Sequence, residues 1–233
     1  IAVADLSLDI PVGSFYGIVG PNGAGKTTTL TMATGLLRPD RGTAFVYGVD
    51  VWGDTAKARS LLGVMPDGMR LLDKLSGPDF LVHVGMLHGV DRATASERSN
   101  QLLQALDLTE AGKKLIADYS AGMTKKIALA AAMIHSPKLL VLDEPFEAVD
   151  PVSAANIRQI LKDYTKRGGT VILSSHVMAT VQQLCTHVAV INHGRVLAAG
   201  TTAEVAQGGD LDARFAQLVG GVHNEEGLTW LGN

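Results

Sequence analysis

Gly20-Pro21-Asn22-Gly23-Ala24-Gly25-Lys26-Thr27-Thr28 is the stretch on which the reading of this chain turns. It fits G-x-x-x-x-G-K-[ST], the phosphate-cradling P-loop. The glycines let the backbone turn tightly and aim successive N–H groups inward as a nest for an anion. A helix starting near Lys26 adds its positive end. Lys26 is then placed to reach the β- and γ-phosphates, and Thr27 to put its hydroxyl on Mg2+. The plainer alternative is a Gly-rich surface turn ahead of a helix. Context argues against it. The apolar run Phe15 to Val19 precedes the loop as a buried strand should, and the helix-compatible run Thr28 to Thr34 follows. A nucleotide site is expected here.

The composition frames that site. A chain of 233 residues suits one decorated domain or two small lobes. Hydrophobic residues make up 46% and aromatics only 5%, the balance of an aliphatic-cored α/β protein with buried parallel strands. A net charge of −3 argues against a broad footprint for nucleic acid. The single cysteine, Cys185, allows no internal disulfide and indicates a reducing compartment; it reads as a small buried apolar residue. The most apolar region, Ile127 to Leu142, is broken by His135, Ser136, Pro137 and Lys138, short of the roughly 18 apolar residues a membrane span needs. The chain opens at Ile1 without a methionine or a signal-like segment, so a first strand and the true N-terminus are expected upstream.

Along the chain, Val3 to Ile10 alternates apolar and polar and predicts a half-exposed strand, closed by Pro11-Val12-Gly13. Thr43 to Tyr47 and Gly63 to Met65 are short strands around a weak helix, Thr55 to Leu62. From Asp67 strand-like runs vanish until Leu139. Asp79 to His88, Ala93 to Leu106 and Ser120 to Ile134 have helical spacing instead. Strand Leu139 to Leu142, helix Val152 to Lys166, strand Thr170 to Ser174, helix Met178 to Leu184 and strand His187 to Ile191 restore the α/β alternation. Asn192-His193-Gly194 signals a hairpin back through Arg195 to Ala199. Two weak helices, Thr202 to Ala206 and Asp212 to Val219, complete the fold, and the tail from Gly220 is expected to be loose.

A second constellation is Leu139-Leu140-Val141-Leu142-Asp143-Glu144-Pro145. Two acids stand at the C-terminal end of a buried strand, where ligands sit in an open α/β sheet. Asp143 can hold Mg2+ opposite Thr27, and Glu144 can take a proton from an attacking water. The alternative is an N-capping acid pair. Ser174-Ser175-His176 follows another apolar strand on the same edge, so His176 can reach the γ-phosphate. His83, His88 and His135 have no metal-ligand company and read as structural. Tyr119-Ser120-Ala121-Gly122-Met123 precedes a helix whose N-terminus could bind an anion, while Lys125 and Lys126 fit a solvated face; alone this stretch is ambiguous.

The order of these motifs resembles the ATP-binding subunit of ABC transporters over essentially the whole chain. The resemblance implies a P-loop NTPase core, a RecA-like sheet with flanking helices, plus a small antiparallel β part. It implies an ATP-binding core of residues 1–66 and 135–233, with an inserted helical subdomain of residues 67–134. In that family ATP is sandwiched between the P-loop of one subunit and the Ser-x-Gly signature of a second. Gly20 to Thr28 match the P-loop, Asp143 the Mg2+-binding acid, Glu144 the catalytic base, His176 the switch histidine, and Ser120, Gly122 and Met123 the signature. Glu147 to Asp150 match a dimer-contacting loop. Asp67 stands where the family carries a glutamine, so a carboxylate touching Mg2+ is expected there. The signature variant Tyr119 to Met123 resembles the branch serving drug and ABC-2-type exporters. The adenine-stacking aromatic of the family falls upstream of Ile1. The implied partners are a polytopic transmembrane subunit and a second ATP-binding subunit, at the cytoplasmic side of the membrane, with no direct nucleic-acid contact. The rival reading is a soluble ABC-type ATPase acting on nucleic acid or the ribosome. Such proteins usually carry paired cassettes or a long coiled-coil insert, and this chain has neither. A GTPase is disfavoured by the missing Asn-Lys-x-Asp motif.

Overall fold

In the computed structural model, which describes residues 1–220, a six-stranded sheet organises the chain. Its strands are β1 (Phe15–Val19), β4 (Leu62–Met65), β5 (Leu139–Leu142), β6 (Thr170–Ser175), β7 (His187–Asn192) and β8 (Arg195–Thr201), in the order β4-β5-β6-β1-β7-β8. Every pairing is parallel except β7 with β8. A separate two-stranded antiparallel piece, β2 (Phe45–Val46) and β3 (Val49–Asp50), is shorter than the strand expected over Thr43 to Tyr47. This mixed α/β architecture agrees with the expected class.

The apolar runs follow from burial on both faces. Leu140 and Leu142 of β5 enter one core with Val171 and Leu173 of β6, while Val141 enters a second core with Ile18 and Ile172. Helices α5 (Ala121–Met133), α6 (Pro151–Lys166) and α7 (Met178–Leu184) contribute to the first core. Helices α1 (Lys26–Ala33) and α2 (Thr55–Leu61) contribute to the second. Leu140 and Leu142 are fully buried, each worth about 1.5–3 kcal/mol relative to exposure.

Between β4 and β5 the chain is helical: α3 (Gly77–Leu87), α4 (Arg92–Ala105), two 3-10 turns over Glu110–Lys113 and Ile116–Asp118, then α5. Ser76, Asp91 and Ser120 cap α3, α4 and α5, and Asp150 caps α6 through the Val152 and Ser153 amides. Such a cap is worth about 1 kcal/mol. At the β7–β8 hairpin, His193 and Gly194 both take positive φ, 48° and 68°, as a two-residue turn of this hand requires. Helices α8 (Thr202–Ala206) and α9 (Leu211–Val219) close the described chain.

One expected element is absent. Residues 3–10 form no strand; Asp5 makes an isolated bridge to Arg195, and the Ala4 and Asp5 amides share the Gly194 carbonyl at 3.0 and 3.4 Å. The alternation is real, since Leu6, Leu8 and Ile10 pack partly buried against the second core. Packing alone fixes that pattern; a strand also needs a neighbour with free hydrogen-bonding groups, and no ladder forms here among the described residues. The expected loose tail lies, from residue 221 on, outside the described residues.

Candidate functional site

Three parallel strands deliver the site. β1, β5 and β6 are adjacent, and the loops leaving their C-terminal ends meet, as in other open α/β sheets. A cavity of about 520 Å3 lies there, lined by Asn22 to Thr28, Asp67, Glu144, Glu147 and His176. So Asn22, Gly23, Ala24, Gly25, Lys26, Thr27, Thr28, Asp67, Glu144 and His176, singled out from sequence, share one space. Gly20, Pro21 and Asp143 are not among its lining residues; the Gly20 and Pro21 carbonyls accept from Lys26 Nζ at 2.7 and 3.2 Å. Ser120, Gly122 and Met123 are not among its lining residues.

The loop backbone explains its glycines. Gly25 has φ 101°, a left-handed conformation open to glycine at little cost, and its N-cap position carries no side-chain cap. A side chain at Gly20 would collide with the Ile191 carbonyl of β7. Helix α1 therefore starts with uncapped amides and no acid in its first turn, whereas α3 to α6 are each capped by a side chain. An uncapped N-terminus behind a buried lysine fits an anion such as a phosphate.

Asp143 is 2% exposed. Its amide donates to Met65 O at 2.8 Å, extending the β4–β5 pairing, and its Oδ1 accepts a short hydrogen bond from the Ser174 hydroxyl. Its Oδ2 is buried without a hydrogen-bond partner among the described residues. A buried, unpartnered carboxylate oxygen is costly unless a cation completes it. No group of three or more potential metal-ligating side chains occurs among the described residues.

Glu144 has φ 46°, a left-handed conformation costly to a residue with a Cβ and informative when it occurs beside a site. Its amide donates to Ser174 Oγ at 2.9 Å. Its Oε1 lies 3.0 Å from His176 Nδ1. A carboxylate only accepts, so Nδ1 carries the proton. Ser174 thus serves both acids, donating to one side chain and accepting from the other backbone. This double role of Ser174 goes beyond its place in the Ser174-Ser175-His176 stretch. The parallel register pairing Leu142 with Leu173 brings it to Asp143, and its place just before His176 was the available signal.

Asp67 lines the cavity, but its Oδ1 is 2.9 Å from Lys125 Nζ. The hydrogen bond from Lys125, outweighing partial burial, holds the Asp67 carboxyl below its usual range. The Asp67 carboxylate, expected to touch Mg2+, makes an ion pair with Lys125. Lys125, read as one face of a solvated helix, has a side chain only 17% exposed.

The Ser120 segment stands apart at the start of α5. Ser120 Oγ accepts from the Met123 amide at 3.3 Å, and the Thr124 hydroxyl donates to Ser120 O at 3.0 Å. A Cβ on Gly122 would lie 3.1 Å from Ala148 O, so the segment abuts the loop before Asp150.

The sheet and its strand-end cavity are those of a P-loop nucleotide-binding protein. Residues 3–147 match the family described as ABC transporter, and the chain belongs to that family. It is 41% identical over 204 residues to the daunorubicin/doxorubicin resistance ATP-binding protein of Streptomyces peucetius, covering 88% of this chain and 62% of that one. It is 36% identical over 210 residues to the linearmycin resistance ATP-binding protein of Bacillus subtilis, covering 89% and 68%. The chain thus spans about two thirds of the length of these curated relatives. A solved structure described as an ATP-binding subunit of an ABC transporter superposes with a TM-score of 0.87 at 26% identity, over 93% of this chain and 92% of that one.

Proposed function

We propose that the chain binds ATP with Mg2+, hydrolyses it as a dimer, and powers export of a substrate through a separate membrane subunit. The carrying observation is the cavity that joins Lys26, Thr27, Glu144 and His176, with Asp143, the residue before Glu144, carrying a buried Oδ2 that has no hydrogen-bond partner among the described residues. Lys26 and the loop amides hold the phosphates of ATP. Asp143 Oδ2 and the Thr27 hydroxyl would hold Mg2+, which supplies charge neutralisation at the phosphates when bound. Glu144 takes a proton from water as its oxygen bonds to the γ-phosphorus; the bond to the bridging oxygen breaks, leaving ADP and phosphate. His176 holds the Glu144 carboxylate through Nδ1 and faces the transferring group.

Ser120, Gly122 and Met123 complete the site of a second subunit, since they lie outside the cavity of their own. Residues 67–134 form the helical unit that carries them. A dimeric ATP-binding cassette bound to ADP and phosphate shares the fold, with a TM-score of 0.80 at 21% identity. The export reading rests on the drug-resistance relatives and the Tyr119 to Met123 variant. No helix of the described residues is long and apolar enough to cross a membrane. A membrane partner would therefore hold the chain at the cytoplasmic face.

The test is co-purification of the tagged full-length chain from gently solubilised membranes. A polytopic membrane protein is expected in stoichiometric amount. A chain that hydrolyses ATP and brings down only ribosomal or DNA-bound proteins overturns the transport reading.

A further inference from the structure

Among the described residues, Lys125 is a cation whose contacts tie together three segments around the site, and the proposed function gives it no role. From the start of α5 its Nζ reaches Asp67 Oδ1 at 2.9 Å in the loop after β4 and the Glu144 carbonyl at 3.1 Å in the loop after β5. Glu147 Oε2 is 3.9 Å away. The two carboxylates are half-exposed, at 45% and 55%, whereas the lysine side chain is 17% exposed. A lysine is withdrawn from water to this extent only when acceptors replace its hydration.

The Glu144 carbonyl is the informative acceptor. Glu144 is held in a left-handed conformation, so its main chain needs an anchor on each side. Ser174 Oγ takes its amide. Its carbonyl is taken by Lys125 and, at a longer 3.3 Å, by the Glu147 amide. Lys125 is therefore the shorter anchor on the carbonyl side of the residue whose carboxylate must meet water. Asp67 receives the same ammonium, which occupies Oδ1 and neutralises the carboxylate beside the cavity.

We propose that Lys125 is a positioning residue for hydrolysis: it fixes the Glu144 backbone from α5, with Asp67 as its counter-ion rather than a metal ligand. The proposal rests on Glu144 being the general base. It makes the aim of that base depend on α5, the helix that also presents Ser120. A displacement of the α5 N-terminus is then felt at Glu144 through one side chain. A merely structural ion pair would support stability and leave turnover untouched.

The experiment compares the full-length wild-type chain with Lys125→Met, Lys125→Arg, Asp67→Asn, Asp143→Asn and Glu144→Gln. Lys125→Met keeps the aliphatic stem and removes the charge. It is expected to lower kcat by about tenfold or more, as small misplacements of catalytic groups do, with KM for ATP changed by less than about twofold. Lys125→Arg restores kcat to within about threefold of wild type, because a cation again spans the acceptors. Mn2+ binding in the presence of ATP, followed by electron paramagnetic resonance, reads the metal site without turnover. Asp67→Asn should shift that affinity by less than about twofold and Asp143→Asn weaken it by about tenfold or more. Wild-type kcat in Lys125→Met, or a rise in KM alone, overturns the proposal. So does Asp67→Asn weakening Mn2+ as much as Asp143→Asn. Should Lys125→Met fail to fold, Asp67→Asn decides, since the loss of its counter-ion must still lower kcat. Wild-type turnover by Glu144→Gln overturns the general-base reading and this proposal with it, whereas failure at Lys125 alone leaves that reading standing.

Discussion

The N-termini of α1 and α5 make a useful pair. Helix α1 opens with a left-handed glycine and no capping side chain, and its first amides border a cavity that also holds Lys26, Thr27, Glu144 and His176. Helix α5 opens with Ser120, whose hydroxyl accepts from its own Met123 amide, and its first residues line no part of that cavity. One helix end shares a cavity with the candidate phosphate-binding and catalytic side chains. The other is a well-capped anion-compatible surface leaning on the loop before Asp150. The two ends do not share a cavity, and under the proposed function the α5 end would meet the nucleotide of a second subunit.

Disabling the α1 end should have the largest effect. Glu144→Gln keeps the shape and removes the proposed base, so ATP hydrolysis should fall by about 10²–10⁴-fold in a steady-state phosphate-release assay. Nucleotide affinity, measured by titration with a fluorescent ATP analogue, should stay unchanged. Full turnover would erase the contrast between the two helix ends.

Ser174→Ala sharpens the same end. It removes the hydroxyl shared by the Asp143 side chain and the Glu144 amide. Divalent-cation affinity in the presence of ATP should weaken by about 10–100-fold, the usual range for a residue that orients a metal ligand. ATP binding without the cation should be unaffected.

The smallest effect is a control remote from both helix ends. Burial first, then the neighbouring His88, holds His135 down at about 4, with Arg98 adding to it; a hydrogen bond to Leu62 O opposes them. The His88 and His135 rings stack with centroids 3.8 Å apart. The unfolded histidine titrates near 6.5, so between that value and about 4 the unfolded chain binds the extra proton. Stability therefore falls as pH drops through this window. His135→Gln should flatten the decline, by about 2 °C in Tm after allowing for its partial exposure, with no change in nucleotide affinity.

Much of the α1 end was legible from local sequence. The P-loop, the acids after β5 and His176 after β6 each sit within a few residues of an apolar strand, and parallel strands put such positions at one edge. What stayed hidden depends on contacts between distant segments. Lys125 and Asp67 are 58 positions apart, and no periodicity couples them. Ser174 gains its double role only through the register of β5 against β6. Residues 3–10 carried a correct inward-facing alternation, yet the pattern could not say whether a neighbouring strand would pair with them. Their apolar side chains border a second cavity of about 500 Å3, which Lys26, Glu144 and His176 do not line and which is formed largely by aliphatic residues such as Ile18, Leu30 and Val141.

The most direct measurement is sedimentation of the full-length Glu144→Gln chain with and without ATP and Mg2+. If the α5 end completes the cavity of a second copy, the nucleotide should convert monomer to dimer, and adding Ser120→Arg should abolish the dimer while ATP affinity in the monomer persists. A chain that stays monomeric with ATP bound, or a dimer indifferent to Ser120→Arg, would contradict the account.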